Sequence, residues 1–562
     1  MIERDDTKEP SWQKTKSKKA ALQAEAIRPF LDQQPNAVHD AITAILDVEE
    51  LASRIARQEF TAHDVVLAYI RKAATAHQKT NCLTEVLFTG ALQRAHTLDA
   101  HLANHSIPLG PLHGIPITLK DQFDVQGADT TLGYSGRAFK PAEGDAVLVE
   151  MLKGMGAVVL AKTNLPQSIM WCETENPLWG LTTHPLKPEF TPGGSTGGEG
   201  ALLALQGSLV GWGTDIGGSV RIPAHMCGLY GFKPSSGRLP YHGVPVSTEG
   251  QEHVPSVVGP LARSLASVHL VTRAVIDAKP WELDPKILPL PWREDVYKEV
   301  QSRPLVVGLL IDDGVVKVHP PVERVIRGVA AKLREAGHEV IDWDPSGHAE
   351  CIRNMVSQTH TLSPPYLPLT ALSSQDQYYT ADGGEDITRA VSAGGDPFLP
   401  HVSALVNRAP AISVYEYWQL NRAKIAAQKA YLDKWRRIRS PTSGREVDVL
   451  LTPTMPHAAV PHRACRWVGY TKVWNFLDYA ACVLPVGRVD RRVDVARADA
   501  RVAEYAPRSE VDRWNWSLYD PDGLDGMPLS VQLVGQRLEE EKVLGIAQVV
   551  ERLLRMSNSQ AG

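Results

Sequence analysis

The sequence is poor in the features that mark several large protein classes. Six cysteines are spread over 562 residues, at Cys82, Cys172, Cys227, Cys351, Cys465 and Cys482, and no two form a C-x-x-C pair. That spacing excludes a zinc ribbon and a thioredoxin-like site, and so few thiols do not make a disulfide scaffold. They are expected to be reduced and buried, in a cytoplasmic protein. No run approaches the roughly 18 apolar residues of a membrane span. The best stretch, Ala201 to Trp212, is interrupted by Gln206, Gly207 and Ser208. The opening residues mix both charges and contain no apolar h-region, so no secretory leader is expected. An excess of positive charge is also missing. The 59 Lys+Arg face 64 Asp+Glu for a net charge of −5, which argues against a nucleic-acid-binding stripe.

What remains is an ordinary globular composition with α/β patterning. The first 40 residues read as a charged arm with some helix. Residues 41–79 read as two helices, with Thr61 and Asp64 resembling a capping signal ahead of Val65, Val66, Tyr69, Ile70 and Ala73. From Cys82 to Val210 strand and helix alternate. Ile115, Ile117 and Leu119 interleave with Pro116, Thr118 and Lys120 at a period of two. Residues 145–156 look helical, and Ala157–Ala161 is a short apolar run typical of a buried strand. Residues 341–412, with Ser363-Pro364-Pro365, Gly383-Gly384 and Gly394-Gly395, read as an irregular excursion that supplies substrate-specific walls. A helix at 414–437, a strand at Val447–Leu451, a last strand at Leu529–Val534 and a helix from Glu539 to about Arg555 follow.

The chemistry concentrates in two glycine-rich segments, Thr191-Pro-Gly-Gly-Ser195-Thr196-Gly-Gly-Glu199-Gly and Gly213-Thr-Asp215-Ile216-Gly217-Gly218-Ser219-Val-Arg221. Each sets a serine where glycines let the backbone turn sharply and gather N–H groups, as an oxyanion hole requires. Thr196 with Glu199 predicts a capping box for a helix running to about Gln206, leaving Ser195 free to project. Leu209–Gly213 reads as a strand, Asp215–Ser219 as the turn after it, and Pro223 as the first position of a new helix. A serine nucleophile needs a base. His113, His184, His225 and His242 have no pattern that fixes one as partner. Lys120 is the better candidate, on the strand face away from Ile117 and Leu119, provided burial brings its pKa toward neutrality. Asp121 points to the opposite face. Asp215 and Arg221 are expected to pair and brace the turn. Trp171, Trp212, Cys172 and Cys227 read as core residues.

Two other patterns match the glycine-rich segments only in part. Gly193-Gly-Ser195-Thr-Gly197 fits the G-x-S-x-G elbow, but that elbow follows a strand, and His184–Pro192 contains three prolines. The glycine loops also lack the Lys-Ser/Thr end of a nucleotide-binding P-loop.

Gly114-Ile-Pro-Ile-Thr-Leu-Lys120-Asp121 and the two glycine-rich segments, in this order, resemble the amidase signature family. So do Gly231-Phe-Lys-Pro234, Gly259-Pro-Leu-Ala-Arg-Ser264, Leu451-Thr-Pro-Thr454 and Pro528–Gly535. Glu249–Glu252 and Asn475–Tyr479 resemble fungal acetamidases most, and more distantly the fatty-acid amide hydrolases. The resemblance covers roughly residues 41–555. It implies one α/β domain over 80–556, with a central mixed, twisted sheet covered by helices on both faces. It replaces the about three or four units that length alone suggests. It also implies a Ser–cis-Ser–Lys triad of Ser219 as nucleophile, Ser195 as bridge after a cis peptide, and Lys120 as base. Ile216, Gly217, Gly218 and Ser219 match the oxyanion donors, Ile169 a pocket residue, and Thr196, Asp215 and Arg221 supporting positions. No metal or cofactor is implied. The partners implied are a small-molecule amide and, as a family expectation, a second copy in a homodimer. Within the family, a glutaminase-type amidotransferase subunit and a hydrolase of longer fatty amides are the alternatives to a general amidase.

Overall fold

The computed structural model describes residues 10–31, 36–353, 376–407, 410–494 and 505–560. Its described strands are β1 (Leu83–Val86), β2 (Pro116–Lys120), β3 (Val158–Thr163), β4 (Glu175–Asn176), β5 (Gly180–Leu181), β6 (Val210–Asp215) and β7 (Tyr230–Lys233). They continue with β8 (Val257–Ala262), β9 (Val306–Leu309), β10 (Glu339–Asp342), β11 (Val449–Pro453), β12 (Ala481–Arg488) and β13 (Pro528–Val534). β4 and β5 pair as a short ribbon. The other eleven form one sheet in the order β1-β3-β2-β6-β8-β7-β12-β13-β11-β9-β10. Pairing is mixed: β3, β2 and β6 pair in parallel with one another, as do β11, β9 and β10, while β1 is antiparallel to β3 and the run β6-β8-β7-β12-β13-β11 is joined by antiparallel ladders. This is the single α/β domain that the motifs imply.

The central strands β2, β3 and β6 are buried at every residue. Ile117 and Leu119 face one helical layer. The polar partners Thr118 and Lys120 face another, so the period of two in β2 marks two buried faces rather than a wet one. β2 and β6 are parallel neighbours, with Leu119 opposite Trp212, and both deliver their chemistry at the same, C-terminal edge.

Several local expectations are corrected. Residues 37–80 hold three helices, Ala37–Ala44, Val48–Ala56 and Ala62–Thr80, not two. Asn36 caps the first through the amides of Val38 and His39, and Thr61 caps the third through Asp64 N. The excursion carries four helices among its described residues: His348–Arg353, Asp376–Tyr379, Glu385–Gly394 and Pro400–Val406. Ser363-Pro364-Pro365 lies outside the described residues. Asp215 closes β6 instead of starting a turn. The helix Arg221–Cys227 begins two residues before Pro223.

The capping box at Thr196 and Glu199 is not formed. The helix Gly197–Ala204 starts after Thr196, but that side chain makes no cap bond, and the Gly198 amide donates to Asn164 O at 3.1 Å instead. The terminus is buried in the fold, so backbone carbonyls do what a side-chain cap does in water. Glu199 turns into the sheet, where its carboxyl accepts from Thr118 Oγ1 at 2.7 Å and Thr163 Oγ1 at 2.9 Å. Burial pushes this carboxyl up to about 8 against the pull of those two hydroxyls. The fold therefore binds a proton that the unfolded chain releases. The stabilisation is complete below about pH 4.5 and is lost as pH rises through 8. Glu199→Gln keeps a neutral amide between the two threonines. It should cost less than about 1.5 kcal/mol at pH 6 and flatten the fall in melting temperature between pH 5 and 9. An unchanged slope would assign that fall to other groups.

Candidate active site

Lys120, at the end of β2, is fully buried. Its Nζ lies 2.6 Å from Ser195 Oγ and 3.0 Å from Thr214 Oγ1. Thr214 donates its hydroxyl proton to Gln122 Oε1 at 2.6 Å, and the Gln122 amide is fixed in turn by Pro245 O at 3.1 Å. Thr214 therefore accepts from Lys120, which leaves the Nζ lone pair of a neutral lysine for the Ser195 hydroxyl. Burial pulls Lys120 down to about 7, with Asp215 partly opposing it. Asp121 takes no part. Its carboxylate accepts from Thr84 Oγ1 and from Thr131 and Leu132 on the other side of the strand.

The peptide bond between Gly194 and Ser195 is cis. Gly194 is needed for another reason as well: a Cβ there would lie 2.3 Å from Glu173 O. Ser219 sits one strand away, tied to the same loop by the Thr196 amide, which donates to Ser219 O at 3.2 Å. Among the described residues the Ser219 hydroxyl makes no hydrogen bond. The two serines are thus neighbours whose hydroxyls are not yet joined.

Asp215 organises the turn. Its Oδ1 accepts from Gly218 N at 2.8 Å, Arg221 Nη2 at 3.0 Å and Asn475 Nδ2 at 2.8 Å. Its Oδ2 accepts from Arg221 Nε at 3.0 Å and Val220 N at 3.2 Å. Burial alone would raise this carboxyl, but the Arg221 guanidinium and its hydrogen bonds hold it well below the usual carboxylate range. Arg221 also reaches Asn475 Oδ1 at 2.7 Å and Gln532 Oε1 at 3.2 Å. The expected brace is present, and it corrects one expectation. The Gly218 amide is engaged by Asp215, so it is not among the donors left for a substrate oxygen. Gly218 itself sits at φ +129, where a Cβ would lie 2.3 Å from Thr471 Oγ1. Outside the turn, Tyr379 donates to Ile216 O at 2.9 Å and Thr471 to Gly217 O at 2.7 Å.

Ser219, Ile216 and Gly217 open into a cavity of about 470 Å³. Ile169 lines it in a left-handed conformation, φ +57, rare for a β-branched residue. Two residues read as core belong to this wall instead. Trp171 stacks on His401 at 4.8 Å, and half-buried Cys172 donates to Cys465 O at 3.3 Å. Trp212 and Cys227 are core, as read. None of the four histidines hydrogen-bonds either serine among the described residues. His184 and His225, for example, hydrogen-bond Met226 O and Ser530 Oγ, and burial lowers each to about 4. Thr214, Gln122, Tyr379, Thr471 and Arg466 escaped the sequence reading, because nothing local marks them. A larger open depression of about 1130 Å³ beside Tyr241 and Lys424 contains none of these catalytic candidates. Among the described residues no group of three or more His, Cys, Asp or Glu could hold a metal ion, and no helix is long and apolar enough to cross a membrane.

The amidase family profile matches residues 64–544. The chain belongs to the amidase signature family. Among its curated relatives, "Amidase 1" of Gibberella moniliformis is 52% identical over 97% of this chain and 99% of its own length. "Acetamidase" of Aspergillus oryzae is 40% identical over 90% of this chain and 89% of its own. A solved "Fatty acid amide hydrolase" superposes with a TM-score of 0.86 at 29% identity, covering 97% of this chain and 94% of that one. This amidase-family chain is thus related to amide hydrolases over almost its whole length.

The Asp215–Arg221 pair should dominate local stability. Asp215→Asn leaves a fully buried guanidinium without its counter-charge and should destabilise by about 3–5 kcal/mol in chemical denaturation. A loss below about 1 kcal/mol would mean the pair is replaceable by neutral hydrogen bonds.

Proposed function

We propose that this chain hydrolyses carboxylic amides to acid plus ammonia or amine through an acyl-Ser219 intermediate, with Ser195 relaying protons to Lys120. The contact between Lys120 Nζ and Ser195 Oγ, 2.6 Å in a fully buried setting that brings the lysine to about 7, carries the reading. Such a lysine has the pKa a general base needs at neutral pH.

The proposed steps run from Ser219 through Ser195 to Lys120. Rotation of the Ser219 side chain brings its hydroxyl onto Ser195 Oγ. As Ser219 Oγ bonds to the amide carbon, its proton passes to Ser195, and the Ser195 proton passes to neutral Lys120. The carbonyl oxygen becomes an oxyanion. The amides of Ile216, Gly217 and Ser219, free of partners among the described residues, are the donors for it, each worth a few kcal/mol when well placed. The Lys120 proton then returns through Ser195 to the leaving nitrogen, the C–N bond breaks, and ammonia or amine departs. Water attacks the ester carbon, giving up its proton along the same relay, and the acid leaves with Ser219 regenerated. Short aliphatic or aromatic primary amides are the proposed substrates, and a 40% identical relative named an acetamidase supports the short primary amides among them.

Ser219→Ala should lower kcat on a primary amide by at least about 10⁴-fold and abolish labelling by a fluorophosphonate probe, with the melting temperature unchanged. Normal turnover in that variant would end the assignment. The base makes a separate prediction. Lys120 is protonated and inactive below its pKa, so kcat/KM should rise about tenfold per pH unit up to pH about 7 and then level. A profile flat from pH 5 to 9 would remove Lys120 as the titrating base.

A further inference from the structure

In the cavity that opens from Ser219, Arg466 has no acidic partner among the described residues. Arg466 lies in the loop between β11 and the helix Gly469–Phe476, and it lines the same cavity as Ser219. Its guanidinium stacks on Trp514 with the carbon 3.4 Å from the ring centroid. Trp514 is itself pinned by an Nε1 hydrogen bond to Ala464 O at 3.0 Å. Arg466 Nη1 is buried and has no hydrogen-bond partner among the described residues. Burial lowers the pKa of this guanidinium, the sign of a charge without compensation.

Among the described residues, the acidic groups of the cavity already have partners other than Arg466. Glu175 pairs with Arg463 at 2.7 Å. Glu173 accepts the amides of Arg463 and Cys465 at 2.6 and 2.8 Å, and burial pushes it up to about 7. Lys472 adds a second cation, its Nζ 5.1 Å from the Tyr379 ring. The cavity is therefore apolar along Ile169, Met170 and Leu405, and carries the Arg466 cation on another part of its wall. A guanidinium held flat by an indole, with donors unused, matches a carboxylate in charge and in planar geometry.

We infer that Arg466 receives a carboxylate borne on the acyl chain, so that the preferred substrates are half-amides of dicarboxylic acids. This rests on the amidase reading above. In a primary amide the leaving group is only ammonia, so the whole remainder of the substrate is acyl chain and has to occupy this cavity. A carboxylate at its end supplies the acceptor that Arg466 lacks, and the apolar wall covers the methylenes between.

The test measures kcat/KM for the half-amides from succinamic to suberamic acid beside the chain-matched neutral amides from butyramide to octanamide. At one or more chain lengths the half-amide should be preferred by about tenfold or more. In Arg466→Gln the ratio should fall toward unity, and in Arg466→Lys it should stay intermediate. Turnover of neutral amides without any such preference, or a preference that Arg466→Gln leaves intact, would overturn the inference while sparing the amidase reading. Calorimetric titration with adipate separates the two further. Binding to the unmodified protein that is lost in Arg466→Gln supports the carboxylate subsite even if neither amide series turns over. If the matched series shows no preference and adipate does not bind, the inference is wrong.

Discussion

The active-site geometry depends on one buried ion pair. Asp215 leaves the end of β6 with both oxygens inside the protein, and every donor they accept comes from the turn itself, from Arg221 or from Asn475. A carboxylate in that position gathers amides around itself and bends residues 215–221 back on themselves. Without the Arg221 guanidinium the same carboxylate would be a bare charge in a low-dielectric interior, and the turn would have no reason to close. The pair also bears on the chemistry next door. Asp215 raises the pKa of Lys120, so a carboxylate not already neutralised by Arg221 would favour the lysine's ammonium form.

Burial is shared by three ionisable groups in this part of the sheet, and each answers it differently. Glu199 has only threonine hydroxyls for company and keeps its proton. Lys120 has a serine, a threonine and a distant carboxylate, and is brought to the point where either form is accessible. Asp215 has a cation and stays ionised. Desolvation is common to all three, and the partners decide the outcome. The layered sheet makes this possible, because the polar face of β2 is sealed beneath the helix Gly197–Ala204 instead of facing water.

Much of this was legible in the chain. The period of two in β2 put Lys120 opposite Asp121, and the glycine clusters marked both serine loops. The pairing of Asp215 with Arg221 followed from their places around one tight turn. What stayed hidden depends on contacts between distant segments. Glu199 sits three residues after Thr196, a spacing that reads as a capping box, and only the packing of β3 against β2 shows that the carboxyl belongs to Thr118 and Thr163. Gly218 was read as a donor to substrate because its amide lies among three others. The Asp215 oxygen that takes it is visible only in the folded turn. Trp171 and Arg466 carry no local signature at all. Their place in the cavity is set by helices from the 341–412 excursion and from residues 510–517, whose docking no short-range pattern encodes.

The strand order has a consequence for how the protein is made. Arg221 is held from outside its turn by Gln532, which lies 311 residues later on β13. The sheet places that late strand between β11 and β12, in the middle of the fold. At about 5–20 residues per second of synthesis, roughly 15 to 60 s separate the emergence of the Ser219 loop from that of its last support. Throughout that interval the nascent chain carries both glycine-rich serine loops but not the scaffold that locks them. The candidate site is therefore fully braced only when synthesis is nearly complete.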